Sequence, residues 1–160
     1  EDELRDAGYP ADVVAAVLSR LAMAPRRAAA VVARLADRVA GPSWPATFTA
    51  YARCRRIVRS QSDLALVGRE QVAALLVEPV EHALWAAVDA ACRRLEPDGY
   101  HDTNAVAAAL DELAPLIDAF FDGVLVMADD ADLRRARLTV LHHISGIPDA
   151  IADLSKLEGF

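Results

Sequence analysis

Residues 118–141 read DAFFDGVLVMADDADLRRARLTVL and combine the densest apolar run of the chain with a turn and a charged helix start. Burying one large apolar side chain gains roughly 1.5–3 kcal/mol, so a solvated loop is a poor place for so many of them. We therefore expect this run to lie inside the protein: Phe120, Phe121, Val124, Leu125, Val126 and Met127. Asp129 and Asp130 then predict a helix N-cap, because carboxylates are favoured at the positive end of a helix, and leucines recur behind them at helical spacing.

Helical periodicity continues through the rest of the chain. Prolines stand where helices can begin, and the sequence Glu96-Pro97-Asp98-Gly99 predicts a turn. We expect Thr103 to be an N-cap and Pro115 to break or kink the helix that follows it. Four helices are predicted at residues 4–21, 25–40, 44–59 and 79–95, the third of them ending in a loop at 60–62. A short helical piece that includes Leu64 is predicted within 63–76. One or two further helices run from 103 to about 121, and another begins at 130. The sequence therefore predicts an all-α fold, a single bundle of six to eight helices.

A chain of 160 residues fits one domain and can bury roughly 70% of its unfolded surface. It opens at Glu1 without a methionine, which suggests a segment of a longer protein. We find neither a long apolar run nor a basic leader, so we expect no membrane partner and a cytoplasmic location. Cys54 and Cys92 form no Cys-x-x-Cys pair and are expected to be reduced, packed thiols.

Charge is distributed unevenly along the chain. A net charge of −7 argues against a nucleic-acid partner, because contacts with phosphates need cations. Residues 20–59, however, hold nine arginines against Asp37 alone, a balance of +8, whereas residues 60–160 sum to −11. Such asymmetry is typical of an electrostatic binding surface, and a coding bias toward Arg is the alternative cause.

The third predicted helix carries the main candidates for binding. Arg53, Arg55, Arg56 and Arg59 surround its C-terminal half, where cations complement the negative helix end or, alternatively, grip an RNA backbone. Tyr51 or Trp44 would be available for stacking on a base.

Motifs for catalysis do not appear in the sequence. There is no Gly-rich phosphate loop, metal-ligand spacing or nucleophile elbow. His142 and His143 are consecutive on a predicted helix and point about 100° apart, so one should be exposed and the other partly buried. Capping and turns account for the acidic residues between 118 and 130. We expect no catalytic residue, cofactor or metal in this chain.

Four stretches resemble the C-terminal region of the beta subunit of bacterial two-subunit glycyl-tRNA synthetases, an all-helical anticodon-binding module of the DALR kind. The family pattern Phe-Phe-Asp-x-Val-x-Val-Met, two acids, then x-x-Leu-Arg-x-Asn-Arg-Leu-x-Leu-Leu falls on residues 120–141, with Ala136 in place of the usual Asn. Residues 5–18 and 50–57 are similar to two further segments of the module, with Ala52 and Arg56 replacing a Lys and an Asn. Residues 151–157 are similar to its ending.

The resemblance implies an anticodon-binding domain spanning residues 1–160. It also implies a class II ligase that uses ATP and magnesium at a catalytic site elsewhere, with tRNA-Gly and a catalytic alpha subunit or region as partners. The residues expected to contact tRNA are Arg53, Arg56, Arg59 and Tyr51, with Arg134 and Arg137 as a second group. Arg134 and Arg137 could instead pair with Asp122 or Asp130. Two other readings stay open: the DALR module of an arginyl-tRNA synthetase, and a helical bundle that binds protein and no RNA.

Overall fold

The computed structural model describes residues 1–61, 63 and 65–160, and within these ranges it contains eight α-helices, two short 3-10 helices and no strand. The α-helices are α1 (Asp2–Asp6), α2 (Ala11–Leu21), α3 (Pro25–Val39), α4 (Trp44–Ser60), α5 (Arg69–Leu75), α6 (Pro79–Leu95), α7 (Thr103–Gly123) and α8 (Ala131–Gly146). The 3-10 helices are Glu96–Asp98 and Leu154–Lys156. The prediction of an all-α fold with six to eight helices is confirmed. Ser62 and Leu64, which fall in the predicted loop and helical piece, lie outside the described residues.

The predicted first helix is divided into α1 and α2. Gly8 lies between them with φ of +88°, a left-handed conformation that costs glycine little, and Pro10 is the N-cap of α2. Helices α3, α4 and α6 begin with a proline at their first or second position, as the sequence predicts.

The core lies where α4 packs against α7 and α8, and where α6 packs against α7. Large side chains that are almost fully buried include Tyr51 of α4, Leu84 of α6, Phe120 of α7 and Leu141 of α8. Helix α2 packs on α3 and also contacts the second 3-10 helix, and the Asp153 N–H donates to the Ala16 carbonyl there. Trp85 is buried, and its ring centroid lies 5.4 Å from that of His143.

The apolar run at residues 120–127 is only partly inside. Phe120 and Val126 are buried, but Leu125 is 74% exposed and Met127 is 46% exposed, so the prediction was wrong for these two side chains. The reason is local: α7 ends at Gly123 and the backbone becomes extended at Val124, where successive side chains point to opposite sides. Val126 therefore points inward while its two neighbours point outward.

Helix α7 differs from its prediction at its start, and the break that the sequence allowed at Pro115 does not occur. Its N-cap is Asp102, whose carboxylate accepts from the N–H groups of Asn104 and Ala105, and Thr103 is instead the first helical residue and is buried. Both residue types cap helices, so sequence alone does not decide between adjacent candidates. The helix also continues through Pro115, because its buried face on both sides of the proline, from Leu113 to Ile117, holds it against α4 and α6.

Cys54 and Cys92 are free and buried, as predicted. Burial raises the pKa of the Cys54 thiol to about 12, even though the neighbouring Arg53 favours the thiolate. A search of the described helices for one long and apolar enough to cross a membrane finds none.

Candidate nucleic-acid interface

Helix α4 presents three arginines to solvent because its other side is committed to the core. Thr47, Phe48, Tyr51 and Cys54 are buried on that inner side. Arg53, Arg56 and Arg59 follow at intervals of three residues, which keeps them on one side of a helix with 3.6 residues per turn, and all three are exposed.

Each of the three guanidinium groups lies over an aromatic ring. The Arg53 Cζ atom is 4.0 Å from the ring centroid of Phe121, and the Cζ atoms of Arg56 and Arg59 are 5.0 and 5.8 Å from the ring centroid of Phe160. These separations are within the range of a cation–π interaction. We call these five residues the arginine–aromatic row. Within the described ranges, no carboxylate forms an ion pair with any of its three arginines.

Phe160 is connected to the core by further rings. Its centroid is 6.3 Å from that of Phe48, and Phe48 stacks on Trp44 with centroids 5.5 Å apart. The Phe160 backbone N–H also donates to the Leu157 carbonyl. The ring under Arg56 and Arg59 is therefore held in place from below.

The basic segment at residues 20–59 is only partly neutralised. Arg20 and Arg55 pair with Asp149, and Arg38 pairs with Asp111. The other arginines have no carboxylate partner in the described part of the chain, which applies to Arg26, Arg27, Arg34, Arg53, Arg56 and Arg59. An excess of positive charge therefore remains on this segment, in spite of the net charge of −7.

Tyr51 and Trp44 do not have the exposure that base stacking requires. Tyr51 is 1% exposed and its hydroxyl donates to the Ser145 carbonyl, and burial raises its pKa. Trp44 is 8% exposed and stacked on Phe48. The expectation that either ring faces RNA is corrected, because both belong to the core side of α4. The rings that do contact the arginines are Phe121 and Phe160, which no pattern in the sequence marks as part of the site.

Arg137 is also an interior residue. Its guanidinium forms an ion pair with Glu81, which is completely buried, and donates to the Leu125 carbonyl. Burial by itself would raise the pKa of Glu81, but hydrogen bonds from Arg137 and from the N–H groups of Glu78 and Val77 lower it overall. A structural role for Arg137 fits this placement, with Glu81 as its partner rather than Asp122 or Asp130.

Arg134 is half-buried and donates to the Ala128 carbonyl over 2.7 Å. It too contacts backbone rather than Asp122 or Asp130. The two predicted groups of RNA contacts therefore differ in role. Arg134 and Arg137 hold the connection between α7 and α8, whereas Arg53, Arg56 and Arg59 of α4 are exposed.

The histidines do not form a shared site. His142 is exposed and His143 is half-buried against Trp85, as the sequence predicts for consecutive helical residues. Burial, followed by the nearby His142, lowers the pKa of His143. No group of three or more His, Cys, Asp or Glu residues in the described ranges could hold a metal ion.

Curated proteins that are similar in sequence to the chain include glycine–tRNA ligase beta subunits from several organisms. The chain is 38% identical to the glycine–tRNA ligase beta subunit of Ralstonia nicotianae, in an alignment of 162 positions that covers 96% of the chain. It is 36% identical over 157 residues, 94% of its length, to that of Nitratidesulfovibrio vulgaris. Over a shorter stretch of 91 residues, 55% of the chain and 13% of the relative, it is 46% identical to that of Acinetobacter baumannii.

The chain is therefore related to glycine–tRNA ligase beta subunits. It spans only 22% of the length of the Ralstonia and Nitratidesulfovibrio proteins. A scan against protein-family models gives no match. The resemblance found in residues 120–141 and in the three flanking segments thus agrees with relatives that align along nearly the whole chain.

Proposed function

We propose that this chain is a tRNA-binding domain of a glycine–tRNA ligase beta subunit or beta region, and that it holds the anticodon arm of tRNA-Gly. The observation that carries the proposal is the row of exposed arginines on α4, which has no carboxylate partner among the described residues and belongs to a chain related to such subunits. Loop bases of RNA can be splayed and read, and arginine suits contacts with both phosphates and bases.

The domain would act by positioning. Holding the anticodon arm fixes where the acceptor end of the tRNA lies, and a catalytic alpha subunit or region would transfer glycine there, with ATP and magnesium, in the cytoplasm. The whole of residues 1–160 would serve as the anticodon-binding domain, of the DALR kind. An arginyl-tRNA synthetase module is the less favoured reading, because the relatives named above are glycine–tRNA ligases.

The test is a salt series of tRNA binding with charge-removing variants. We expect Arg53→Gln/Arg56→Gln/Arg59→Gln to weaken binding of tRNA-Gly roughly tenfold or more and to reduce the slope of log K against log salt by about 2–3, since each lost phosphate contact removes about one counterion. The full-length protein carrying these changes should lose glycylation efficiency through a higher KM for tRNA.

A matched control removes the same charge elsewhere. Arg5, Arg93 and Arg94 are exposed by 48%, 68% and 51% but are paired with Glu1, Asp89 and Glu112. Their triple Gln variant should keep wild-type affinity and slope. Equal effects in the two triple variants would mean that only net charge matters, and no effect in either would remove RNA binding by this surface. The latter result would favour a bundle that binds protein.

A further inference from the structure

We propose that Arg53 and Arg56, each backed by a phenylalanine ring, are stacking platforms for unpaired nucleobases of an RNA loop. The inference rests on the proposed RNA binding and adds to it the part of the RNA that is recognised: the faces of splayed bases, rather than the phosphates alone. It assigns Phe121 and Phe160 a role in holding the arginines.

The geometry is clearest at Arg53. A guanidinium carbon 4.0 Å from the Phe121 centroid lies above the ring face, because an approach from the ring edge would add the radius of the ring to the distance. A guanidinium group is planar and has two faces. The Phe121 ring lies against the group, and Arg53 is nevertheless exposed, so a base could stack on the side of the guanidinium that the ring does not occupy.

Arg56 lies one helical turn later and also has a phenylalanine ring beside it, at a longer distance. Its Cζ is 5.0 Å from the Phe160 centroid, and its Nη2 donates to the Gly159 carbonyl over 3.4 Å. Residues three apart on a helix have Cβ atoms about 5–6 Å apart, so the two platforms are neighbours that could receive bases from one short single-stranded segment.

The ring beside each arginine prepares the side chain for stacking on an unpaired base. Backing by a ring restricts the side chain before binding, which lowers the entropy lost when a ligand is bound. Stacking on aromatic or guanidinium planes is available to any unpaired base but not to bases already stacked within a duplex. Such a site therefore favours loops over helices without demanding one sequence.

Lysine substitution separates stacking from charge. We expect Arg53→Lys/Arg56→Lys to bind the anticodon hairpin of a glycine tRNA about tenfold more weakly, since one stacked base accounts for roughly a fivefold to hundredfold change in affinity, while the salt slope stays at the wild-type value. A fluorescent purine analogue placed in the hairpin loop should lose its quenching by the protein. Arg93→Lys/Arg94→Lys, on exposed ion-paired arginines, is the control and should change neither readout.

Phe121→Leu gives a second measurement. It keeps both arginines and their charge, so weaker quenching with an unchanged salt slope would support the platform; circular dichroism would confirm that the helices remain folded. The proposal is overturned if the lysine variant binds and quenches as the wild type does. In that case the Gln variants described above would still weaken binding if the proposed function is right, so the two failures can be told apart.

Discussion

Glu81 is a completely buried acid whose carboxylate is surrounded by donors. One oxygen accepts from Arg137, and the other accepts from the backbone N–H groups of Val77 and Glu78 over 2.8 and 2.6 Å. Arg137 in turn donates to the Leu125 carbonyl. The pair therefore joins the start of α6, the segment after α7 and the middle of α8 at one point.

Removing one member of this pair should destabilise the protein more than removing both. We expect Glu81→Leu or Arg137→Met alone to lower the free energy of unfolding by about 3–5 kcal/mol, because each leaves a buried charge without its partner. The double variant should recover part of this loss, but not all of it, since the Val77, Glu78 and Leu125 backbone groups lose partners too. Urea unfolding of the four proteins in a double-mutant cycle measures the coupling, and additive losses would contradict it.

The same carboxylate should make stability depend on acid pH. Folding lowers the pKa of Glu81 below its usual value of 4.5, so its contribution is fully present above that value and is lost as pH falls through the lower folded pKa. Asp89 and Asp153 have lowered pKa values as well and act in the same direction. The free energy of unfolding should therefore fall below about pH 4.5, and less steeply in Glu81→Leu/Arg137→Met. Identical pH profiles for the two proteins would remove Glu81 as a cause.

At the scale of the helix, α8 shows how one of two adjacent acids is selected as a cap. Asp130 accepts from the Leu133 N–H over 2.9 Å, whereas the Asp129 side chain has no hydrogen bond among the described residues. Asp130→Ala should lower the free energy of unfolding by about 1 kcal/mol, the usual loss for an N-cap. Asp129→Ala is its matched control, because it removes the same charge near the same helix end, and thermal or urea unfolding compares them. Equal losses would show that charge, rather than the cap, stabilises α8.

Helix boundaries were predictable where the residues that set them lie within a few positions of the boundary. The prolines at 25, 45 and 79 and the turn at 96–99 fix the limits of three long helices, since their effects act within a few residues. The N-cap of α7 was missed by one residue, and the outward direction of Leu125 and Met127 was missed, because both depend on which side of the chain the core occupies.

For the whole molecule, the sequence predicted the fold class and named Arg53, Arg56 and Arg59 as candidates, but it did not predict the rings that they contact. Spacing places Arg53, Arg56 and Arg59 on one side of a helix, and this needs no tertiary information. Their contacts with Phe121 and Phe160 join residues far apart in the chain, and the burial of Tyr51 follows from the packing of α4 on α8. Arg137 could not be paired with Glu81 from sequence, because 56 positions separate them.

Side chains of α8 hold the connection between α7 and α8 by hydrogen bonds to its backbone. Arg137 binds the carbonyl at 125 and Arg134 binds the carbonyl at 128, so α8 dictates the path of this backbone. Leu125 projects away from it and is 74% exposed, so its side chain adds little to the buried apolar surface. Leu125 stands at an unspecified position of the Phe-Phe-Asp-x-Val-x-Val-Met pattern, so a new surface chemistry could arise there without any change in the architecture beneath.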